Sequence, residues 1–302
     1  MKYALGIDIG GTNIKGLAVT PKGRVLSEMN MATEDSGGKK WLANVKLASD
    51  RTREGLREAP AWIGLAAPGI AAPDQRSISY MPERLPGLEG LVWRSFFRTT
   101  DPVPILNDAK AALLGEVWCG AAVGATNAIL LTLGTGVGGA ALVDGRLLRG
   151  HIGRAGHLGH ISLDPAGPRD ITGTPGSLED AIGGCTLKSR TNGCYKSTQD
   201  LIAASQRKDP VARTIWLKSV QALAAAIASL INILDPEVVI IGGGIAKAGP
   251  ALFRPLKENL GRFEWRPGGR RTQIVAARLG DRAGAFGAAW NALHFQKQNR
   301  HE

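Results

Sequence analysis

The sequence is poor in cysteine and has no long uninterrupted apolar stretch. Its three cysteines, Cys119, Cys185 and Cys194, are too few and too irregularly spaced for a disulfide framework or a four-cysteine metal site. No apolar stretch of signal-peptide length precedes the first glycines. The longest apolar region, residues 222–241, is interrupted by polar residues and a proline and does not match a membrane span. We therefore expect a cytoplasmic protein with no membrane partner.

Signatures of nucleic-acid binding are also missing, although the chain is basic. The 37 lysines and arginines outnumber the 26 aspartates and glutamates, which gives a net charge of +11 and raises the question of a nucleic-acid partner. The basic residues show no zinc-finger spacing and no aromatic RNA-binding motif. We interpret them as a solvated face, or as a surface that attracts an anionic nucleotide, and expect no nucleic-acid partner. Much of the excess falls late, at Arg254, Lys257, Arg262, Arg266, Arg270, Arg271 and Arg278.

Glycine, in contrast, is abundant: it accounts for 40 of 302 residues, or about 13%, nearly twice average usage. The glycines cluster in short turns without a three-residue period, which excludes a collagen-like chain. Hydrophobic residues make up 44% and charged residues 21%, so there is enough apolar side chain for a globular fold. Clustered glycines favour turns in which the backbone approaches a ligand closely.

One arrangement of apolar stretches and glycine turns occurs twice, about 125 residues apart. Each copy predicts a strand, a Gly/Thr turn, a second strand, a tight turn and a third strand, at residues 3–9, 14–19 and 24–26 and again at 128–133, 140–143 and 146–148. Further strands are expected at 62–67, 103–106 and 237–241, helices at 41–58, 109–118, 211–234 and 283–294, and an irregular segment at 70–90. Strands that alternate with helices predict an α/β architecture of two related lobes.

The two Gly/Thr turns, residues 10–13 and 134–139, are candidate phosphate sites. Their backbone N–H groups can face an anion, glycine permits its close approach, and the threonine hydroxyl adds a donor. Neither turn has the GxxxxGK[ST] form of a P-loop, and a single glycine-rich turn often serves backbone geometry alone. Two such turns at matching places are more specific, because a cleft between two lobes could hold one triphosphate from both sides.

Two aspartates accompany these turns. Asp108 stands at an expected strand-to-helix junction, where ligands collect in α/β proteins, and it is either a helix N-cap or a general base for a hydroxyl group. Asp8 precedes the first turn and is either a structural turn residue or a group that positions Mg²⁺, normally through water. The residue types by themselves leave both pairs of alternatives open.

Several motifs occur in the order found in the ROK (repressor, open reading frame, kinase) family: LGIDIGGTNIKG, IGLAAPG, PVPILNDAKAALLGE, LLTLGTGVGGAALVDGRLLRG, AGHLGHISLD, GSLE and DPEVVIIGGGIA. The chain resembles this family over residues 5–290. The resemblance implies the two-lobed α/β fold of the actin-like (ribonuclease H-like) ATPases, with ATP, Mg²⁺ and a sugar in the cleft between the lobes. We expect an N-terminal lobe of residues 1–106, completed by a C-terminal helix at 284–302, and a larger lobe of residues 107–283.

The same resemblance implies roles for individual residues. Phosphates would be held by Gly10, Gly11, Thr12, Asn13 and Lys15, with Asp8 beside them, and by Gly134, Thr135 and Gly136. The adenosine would lie near Gly242, Gly243 and Gly244. Asp108 matches the catalytic base of the family, and the sugar would be bound by Gly69, Asn107, Asp108, His157, His160 and Glu179.

The chain departs from the family at a metal site. Many members bind a structural zinc through the histidine that matches His160 and through three cysteines in a CxCGxxGC pattern. Those cysteine positions are occupied here by Asp170, Thr172 and Ser177. Threonine and serine are poor zinc ligands at neutral pH, so we expect no structural zinc. A makeshift site of His157, His160 and Asp170 is the alternative.

Two further departures lie near expected substrate contacts. His157 stands where the family usually has glutamate, and a neutral imidazole offers one donor and one acceptor where a carboxylate accepts two hydrogen bonds. It either changes the contact around C1–C2 of the sugar or fills the space. Lys110 replaces a commoner asparagine and either faces solvent or approaches the nucleotide.

These patterns together predict an ATP-dependent sugar kinase, similar to hexokinases and glucokinases, in which Asp108 is the general base and ATP and Mg²⁺ are the cofactors. Two alternatives remain: a catalytically weak or inactive sugar-binding protein, and a kinase for an N-acetylhexosamine or an unusual sugar. Polyphosphate is an alternative donor. A sugar-responsive repressor is not expected, because the first strand leaves no room for a preceding DNA-binding domain. The resemblance also suggests a homodimer.

Overall fold

The structure is a computed structural model, and it describes residues 1–35, 38–82 and 84–298. These residues form two compact units. Within the described chain, unit 1 comprises residues 1–124, 149–155 and 278–298, and unit 2 comprises residues 125–148 and 156–277. Unit 1 therefore contains the helix at 108–119, which we expected in the second lobe, together with the C-terminal helix expected in the first.

Unit 1 is built on a five-stranded sheet. Its strands are β1 (Ala4–Ile9), β2 (Asn13–Val19), β3 (Val25–Ala32), β4 (Trp62–Ala67) and β7 (Ile105–Asn107), in the order β3-β2-β1-β4-β7. Tight turns join β1, β2 and β3 into an antiparallel meander, whereas β4 and β7 follow longer connections and run parallel to β1. The parallel strands β1, β4 and β7 therefore end at the same edge of the sheet.

The helices of unit 1 pack on both faces of this sheet; they are α1 (Lys40–Thr52), α2 (Trp93–Phe96), α3 (Asp108–Cys119) and α9 (Ala283–Gln298). α9 lies in direct contact with the sheet because glycines remove side chains from the contact. A Cβ at Gly6 of β1 or at Gly64 of β4 would collide with the backbone of α9. On the opposite face, Trp41 of α1 and Trp93 of α2 are fully buried and pack edge to face.

Unit 2 contains a sheet of the same plan. Its strands are β8 (Ala128–Leu133), β9 (Val137–Val143), β10 (Arg146–Leu147), β11 (Val238–Gly242) and β12 (Gln273–Ala276), in the order β10-β9-β8-β11-β12. The first three again form an antiparallel meander, and β11 and β12 run parallel to β8. The repeated strand order confirms the duplicated α/β arrangement predicted from the sequence.

The helices of unit 2 are α4 (Leu178–Ile182), α5 (Leu187–Arg190), α6 (Thr198–Gln206), α7 (Pro210–Leu234) and α8 (Pro250–Phe263). α7 begins at Pro210, and the carboxylate of its N-cap, Asp209, accepts the first free amides of the helix. Its C-cap is Asp235, which has a left-handed φ of 42°. Length and composition alone would let α7 cross a membrane, but half of its apolar window is buried inside the protein. It packs against α4, α6 and α8 and is the core helix of unit 2.

Several elements differ from those expected, and local geometry explains two of the differences. α1 ends at Thr52 instead of residue 58, and Gly55 beyond it has a φ of 78°, a left-handed conformation that does not continue a helix. β9 begins at Val137, because its pairing with β8 continues up to Leu133 at the edge of the second glycine turn. The expected irregular segment contains a short hairpin of β5 (Ile70–Ala71) and β6 (Ile78–Tyr80). The sequence analysis predicted none of α6, α8 and β12.

Candidate active site

Asn107 connects the ends of two parallel strands in unit 1. Its side-chain oxygen caps α3 by accepting hydrogen bonds from the amides of Ala109 and Lys110 at 3.0 and 3.3 Å. Its side-chain amide donates to the carbonyl oxygen of Gly69 at 3.0 Å. Gly69 follows β4 with a φ of 97°, and a Cβ there would lie 2.5 Å from the carbonyl oxygen of Tyr80. Only glycine suits this position, so backbone geometry places the two predicted sugar ligands side by side.

Asp108 is the first residue of α3 and lies exposed to solvent. Its carboxylate accepts a hydrogen bond from the amide of Ala109 at 2.8 Å. Desolvation by the surrounding protein raises the pKa of Asp108, although hydrogen bonds from Ala109 and Asn107 and the positive charge of Arg84 partly offset this effect. A raised pKa makes the carboxylate a better proton acceptor, and its exposure lets a substrate hydroxyl reach it.

Asp8 is a second carboxylate at the same edge of the sheet. It lies near the end of β1, opposite Lys15 of β2. Desolvation, followed by the negative charge of Asp108, raises the pKa of Asp8 to about 7, and the positive charge of Lys15 opposes this rise. The two carboxylates are thus close enough to interact electrostatically. Gly10 lies two residues after Asp8, and its amide donates to the carbonyl oxygen of Asn13 at 2.9 Å, which closes the first glycine turn.

Arg84 also belongs to this site, and the sequence analysis missed it. Its guanidinium lies so close to Gly11 that a Cβ at that residue would collide with it. Its Nε donates to Asp35 at 3.4 Å, and the other oxygen of Asp35 accepts the amide of Leu85 at 3.0 Å. Arg84 lies in the segment expected to be irregular, outside every motif, so no pattern in the sequence marked it. Unit 1 therefore places a cation beside both the first turn and Asp108.

Lys110 is buried, which corrects the expectation that it faces solvent or approaches the nucleotide. It is 3% exposed, and its Nζ donates to the carbonyl oxygen of Gly153 at 2.7 Å. Desolvation, followed by the positive charge of Arg149, lowers the pKa of Lys110 to about 8. This hydrogen bond links residues 149–155 to the rest of unit 1. It explains why these residues belong to unit 1, although the residues before and after them in the sequence belong to unit 2.

The second glycine turn, in unit 2, is held by backbone hydrogen bonds. The carbonyl oxygens of Gly134 and Thr135 accept the amides of Gly184 and Cys185 at 2.9 and 2.7 Å. The turn closes through a hydrogen bond from the amide of Gly134 to the carbonyl oxygen of Gly136 at 2.9 Å. Because its carbonyls are used in this way, the turn has a fixed backbone, as a phosphate cradle requires.

Glu179, predicted to bind sugar, lies beside this second turn. One of its carboxylate oxygens accepts the amide of Val137 at 2.8 Å, and a Cβ at Gly136 would collide with the same oxygen. Glu179 is 8% exposed and belongs to the first turn of α4, whose N-cap is Ser177. The glycine at position 136 is thus needed so that the carboxylate can reach the backbone of β9.

The glycines that follow β11 are near the second turn as well. Gly242 pairs with Thr132 of β8. Gly243 has a φ of 84°, and a Cβ there would collide with the backbone of Leu133. A Cβ at Gly244 would meet no atom within 4 Å, so open space lies beside this residue. Within unit 2, the structure therefore places Gly242 and Gly243 beside the end of β8, where the second turn begins.

The two predicted histidines lie in unit 2. His157 precedes the short helical turn Leu158–His160 and is partly buried. The Nδ1 of His160 lies 2.7 Å from a carboxylate oxygen of Asp170. Polar atoms of His160, Asp170 and Glu179 all lie within 4.8 Å of one another. The predicted histidine and glutamate are thus neighbours, and Asp170 joins them.

These residues do not fit the zinc site of the family. The positions of its three cysteines carry Asp170, Thr172 and Ser177. One oxygen of Asp170 accepts the amide and the hydroxyl of Thr172, each at 2.8 Å, and the other meets His160. Thr172 and Ser177 offer only neutral hydroxyls, and Glu179 already accepts a backbone amide. The alternative of a site that includes His157 receives no support, because the cluster contains Glu179 instead.

Comparison with known proteins shows the family to which this chain is similar. A model of the ROK family matches residues 4–294. The glucokinase of Halalkalibacterium halodurans is 32% identical over 330 aligned positions, which cover 100% of this chain and 97% of that protein. The crystal structure of a ROK hexokinase from Thermus thermophilus has 32% identity and a TM-score of 0.87, and covers 98% of this chain and 99% of its own. A ROK family glucokinase from Streptomyces griseus, in complex with glucose and AMPPNP, has 28% identity and a TM-score of 0.80, with coverage of 97% and 99%.

Proposed function

This chain belongs to the ROK family and is an ATP-dependent sugar kinase, and we propose that Asp108 is the general base of its phosphoryl transfer. The observation that carries this proposal is the place of Asp108. It is exposed at the carboxyl edge of a parallel sheet, beside the first glycine turn and Asp8, and its pKa is raised. A base for a neutral hydroxyl needs this combination of access and basicity.

In the proposed reaction, Asp108 accepts the proton of a sugar hydroxyl, which we take to be the primary one. The freed electron pair of that oxygen forms a bond to the γ-phosphorus of ATP, and the bond between the γ-phosphorus and the bridging oxygen breaks. ADP leaves with that electron pair, and Asp108 releases its proton to solvent. The protein contributes mainly by positioning the reactants and by stabilising charge.

We assign the phosphates of ATP to the two glycine turns. The first turn supplies Gly10, Gly11, Thr12 and Asn13 with the cation of Lys15, and the second supplies Gly134, Thr135 and Gly136. Arg84 supports the first assignment because its guanidinium lies at Gly11 and offers a cation to phosphoryl oxygens. The adenosine is assigned to Gly242, Gly243 and Gly244, where open space beside Gly244 accommodates a ligand.

We assign Asp8 as the group that positions Mg²⁺, since Mg²⁺ prefers hard oxygen ligands and Asp8 precedes the first turn. When bound, Mg²⁺ neutralises charge on the transferred phosphoryl group. The negative charge of Asp108 raises the pKa of Asp8, and the positive charge of Lys15, opposite Asp8 on β2, lowers it. Lys15 thus favours the ionised form of Asp8, which is the form that binds a cation.

The sugar is assigned to Gly69 and Asn107 in unit 1 and to His157, His160 and Glu179 in unit 2. His157 replaces a carboxylate by an imidazole, which changes the hydrogen bonds available to the sugar. We therefore keep an N-acetylhexosamine or an unusual sugar as the alternative to glucose within the same reaction. A cytoplasmic location and a homodimer remain predictions.

The decisive experiment compares wild type, Asp108→Asn and Asp101→Asn by ADP release with Mg–ATP across hexoses and N-acetylhexosamines. Asn keeps the volume of the side chain but accepts no proton, so kcat of Asp108→Asn should fall about 10³-fold. Asp101 is exposed and lies four residues before the start of β7, and its variant should retain full activity. Sugar-induced thermal shifts should persist in both variants. An Asp108→Asn protein with near-normal kcat would remove Asp108 from this role, and sugar binding without turnover in wild type would favour the binding-protein alternative.

A further inference from the structure

Asp170 is a buried carboxylate to which the reaction assigns no role. It lies in unit 2, between His160 and α4, and its side chain is 1% exposed. One oxygen meets Nδ1 of His160 at 2.7 Å. The other accepts three hydrogen bonds, from the amide and hydroxyl of Thr172 at 2.8 Å each and from the amide of Thr174 at 3.0 Å. Both oxygens are therefore fully engaged.

The backbone around Asp170 is folded to deliver these donors. The amide of Asp170 donates to the carbonyl oxygen of Thr174 at 3.0 Å, and its own carbonyl accepts the amide of Gly173 at 2.9 Å. Gly173 has a φ of 82°, which only glycine adopts without strain. The segment 170–174 is thus a closed turn whose N–H groups converge on one carboxylate, as they would on a bound anion.

Asp170 also reaches the start of α4. The hydroxyl of Ser177, which is fully buried, helps to lower the pKa of the Asp170 carboxyl, and it accepts the amide of Asp180 at 3.2 Å as the N-cap of α4. α4 carries Glu179 in its first turn. One carboxylate therefore joins His160 on one side to the helix that presents Glu179 on the other.

A carboxylate is stable in this environment because its donors compensate for burial. Although desolvation raises the pKa of Asp170, hydrogen bonds from His160, Thr172 and Ser177 outweigh it and lower the pKa to about 2. The group is thus ionised throughout the neutral range. Charge-assisted hydrogen bonds of this kind are stronger and more directional than neutral ones, so they can order a segment that has no regular secondary structure.

We infer that Asp170 is a positioning residue that holds His160 and the start of α4 in place without a metal ion. The inference rests on the proposed function in one respect, the assignment of His160 and Glu179 to the sugar. The three side chains at the cysteine positions of the family have linked places here: the carboxylate of Asp170 accepts the hydroxyl of Thr172, and Ser177 caps α4 and helps to lower the pKa of Asp170. Hydrogen bonds thereby replace metal–thiolate bonds.

The contact also determines how His160 can bind a ligand. An ionised carboxylate accepts a proton-bearing nitrogen, so Asp170 favours the tautomer of His160 with hydrogen on Nδ1. The Nε2 atom is then a hydrogen-bond acceptor, suited to a sugar hydroxyl that donates. Partners of this kind orient a ring and set its tautomer, and their loss costs about 10- to 100-fold where they have been removed behind functional histidines.

The first test compares wild type, Asp170→Asn and Asp164→Asn. Asp164 is exposed in the same segment and does not contact His160, so its variant is the matched control. For Asp170→Asn we expect the KM for sugar to rise about 10-fold or more, with the KM for ATP within about 2-fold of wild type. Nitrogen-15 NMR of the imidazole should show loss of the Nδ1–H tautomer at His160. Unchanged sugar KM and tautomer would overturn the inference.

The NMR readout separates this inference from the proposed function. If wild type shows no sugar-dependent turnover but His160 still changes tautomer in Asp170→Asn and not in Asp164→Asn, the kinase role fails and the positioning contact stands. If turnover is normal and the tautomer does not respond to Asp170→Asn, the contact fails and the kinase role stands.

The second test measures metal directly. Wild type purified without added metal should contain less than about 0.1 zinc per chain by mass spectrometry, since two of its donors are neutral hydroxyls. The triple variant Asp170→Cys, Thr172→Cys, Ser177→Cys should bind Co²⁺ with the absorption of tetrahedral thiolate coordination, because His160 and the turn geometry remain. Stoichiometric zinc in wild type would overturn the inference, and so would a folded triple variant that binds no Co²⁺.

Discussion

The two glycine turns lie at the same place in two sheets of the same strand order, yet their surroundings differ. The first turn lies beside Asp8 and Asp108, with Arg84 against Gly11. Beside the second turn lies Glu179, whose carboxylate accepts the backbone amide of Val137 in β9. The two units share one strand order. Unit 1 carries the charged groups suited to proton transfer, whereas the second turn, in unit 2, has a backbone fixed by hydrogen bonds.

The first strands of the two sheets show where this difference arises. β1 reads ALGIDI and β8 reads AILLTL, so Asp8 corresponds to Thr132 and Gly6 corresponds to Leu130. Gly6 lets α9 touch the sheet, and α9 in turn packs close to Asp8, because a Cβ at Gly284 would collide with that carboxylate. These two differences within one strand account for the carboxylate of Asp8 and for the contact with α9, and exchanging the residues tests both.

The largest effect should come from Gly6→Leu, which gives β1 the residue found in β8. The new side chain would collide with the backbone of α9, which cannot move away as a side chain could. We expect a loss of at least about 3 kcal/mol in the free energy of unfolding, measured by urea denaturation. The same substitution at Gly261, an exposed position of α8 with open space around it, should cost less than about 1 kcal/mol. Equal stability of the two variants would contradict the close contact of α9.

The next effect should come from Asp8→Thr, which gives β1 the polar residue of β8. The fold should persist, because the variant removes a desolvated carboxylate from the sheet edge. We expect kcat to fall about 100-fold through loss of transition-state charge stabilisation, as measured by ADP release at saturating substrate. Asp50→Thr changes an exposed carboxylate on α1 and should leave kcat unchanged. A fully active Asp8→Thr protein would remove Asp8 from the catalytic site.

A smaller effect is expected from Arg84→Met, which removes the cation beside the first turn. Because Arg84 is 47% exposed and paired with Asp35, its contribution should be moderate, about a 10-fold fall in kcat/KM for ATP. Arg84→Lys should recover part of the loss. The exposed Arg76 in the same segment provides the control, and its change to Met should have no kinetic effect. Parallel kinetics of the two Met variants would show that the position of Arg84 at Gly11 is irrelevant.

The last effect concerns the pH dependence of stability at Lys110. Its pKa is about 8 in the folded protein and 10.5 as its ordinary value, so between these pH values the unfolded chain binds the extra proton. Stability of wild type relative to Lys110→Met should therefore increase as pH rises from about 8 to about 10.5, and stay constant below 8. Urea denaturation of both proteins across this range measures the difference. A flat difference would mean that the lysine is not desolvated.

Much of the fold could be predicted because it is encoded locally. The strands at 62–67 and 128–133 have the bounds expected from their apolar sequence, and α7 differs by one residue. Glycine turns are also local features, so both turns could be predicted. The alternative that Asp108 is a helix N-cap was wrong, because Asn107 caps α3 and Asp108 is the first residue of the helix. Elements with weaker patterns, such as α8 with its internal Pro255, were not predicted.

The roles of three side chains could not be predicted, because they depend on contacts between distant segments. Arg84 lies against Gly11, Lys110 donates to the carbonyl oxygen of Gly153, and Asp170 meets His160, a pair that the sequence analysis considered only as part of a metal site. In each case the sequence shows a charged residue of ordinary type and no partner at regular spacing.

The sequence by itself determined the α/β duplication, the two turns and the aspartate that begins α3, because strand period, glycine and capping act between near neighbours. Only the tertiary structure decided which carboxylates are desolvated, which cation faces the first turn and which side chains meet His160. Those properties depend on distances of a few ångströms between residues far apart in the chain, and electrostatic and hydrogen-bond energies change steeply over such distances.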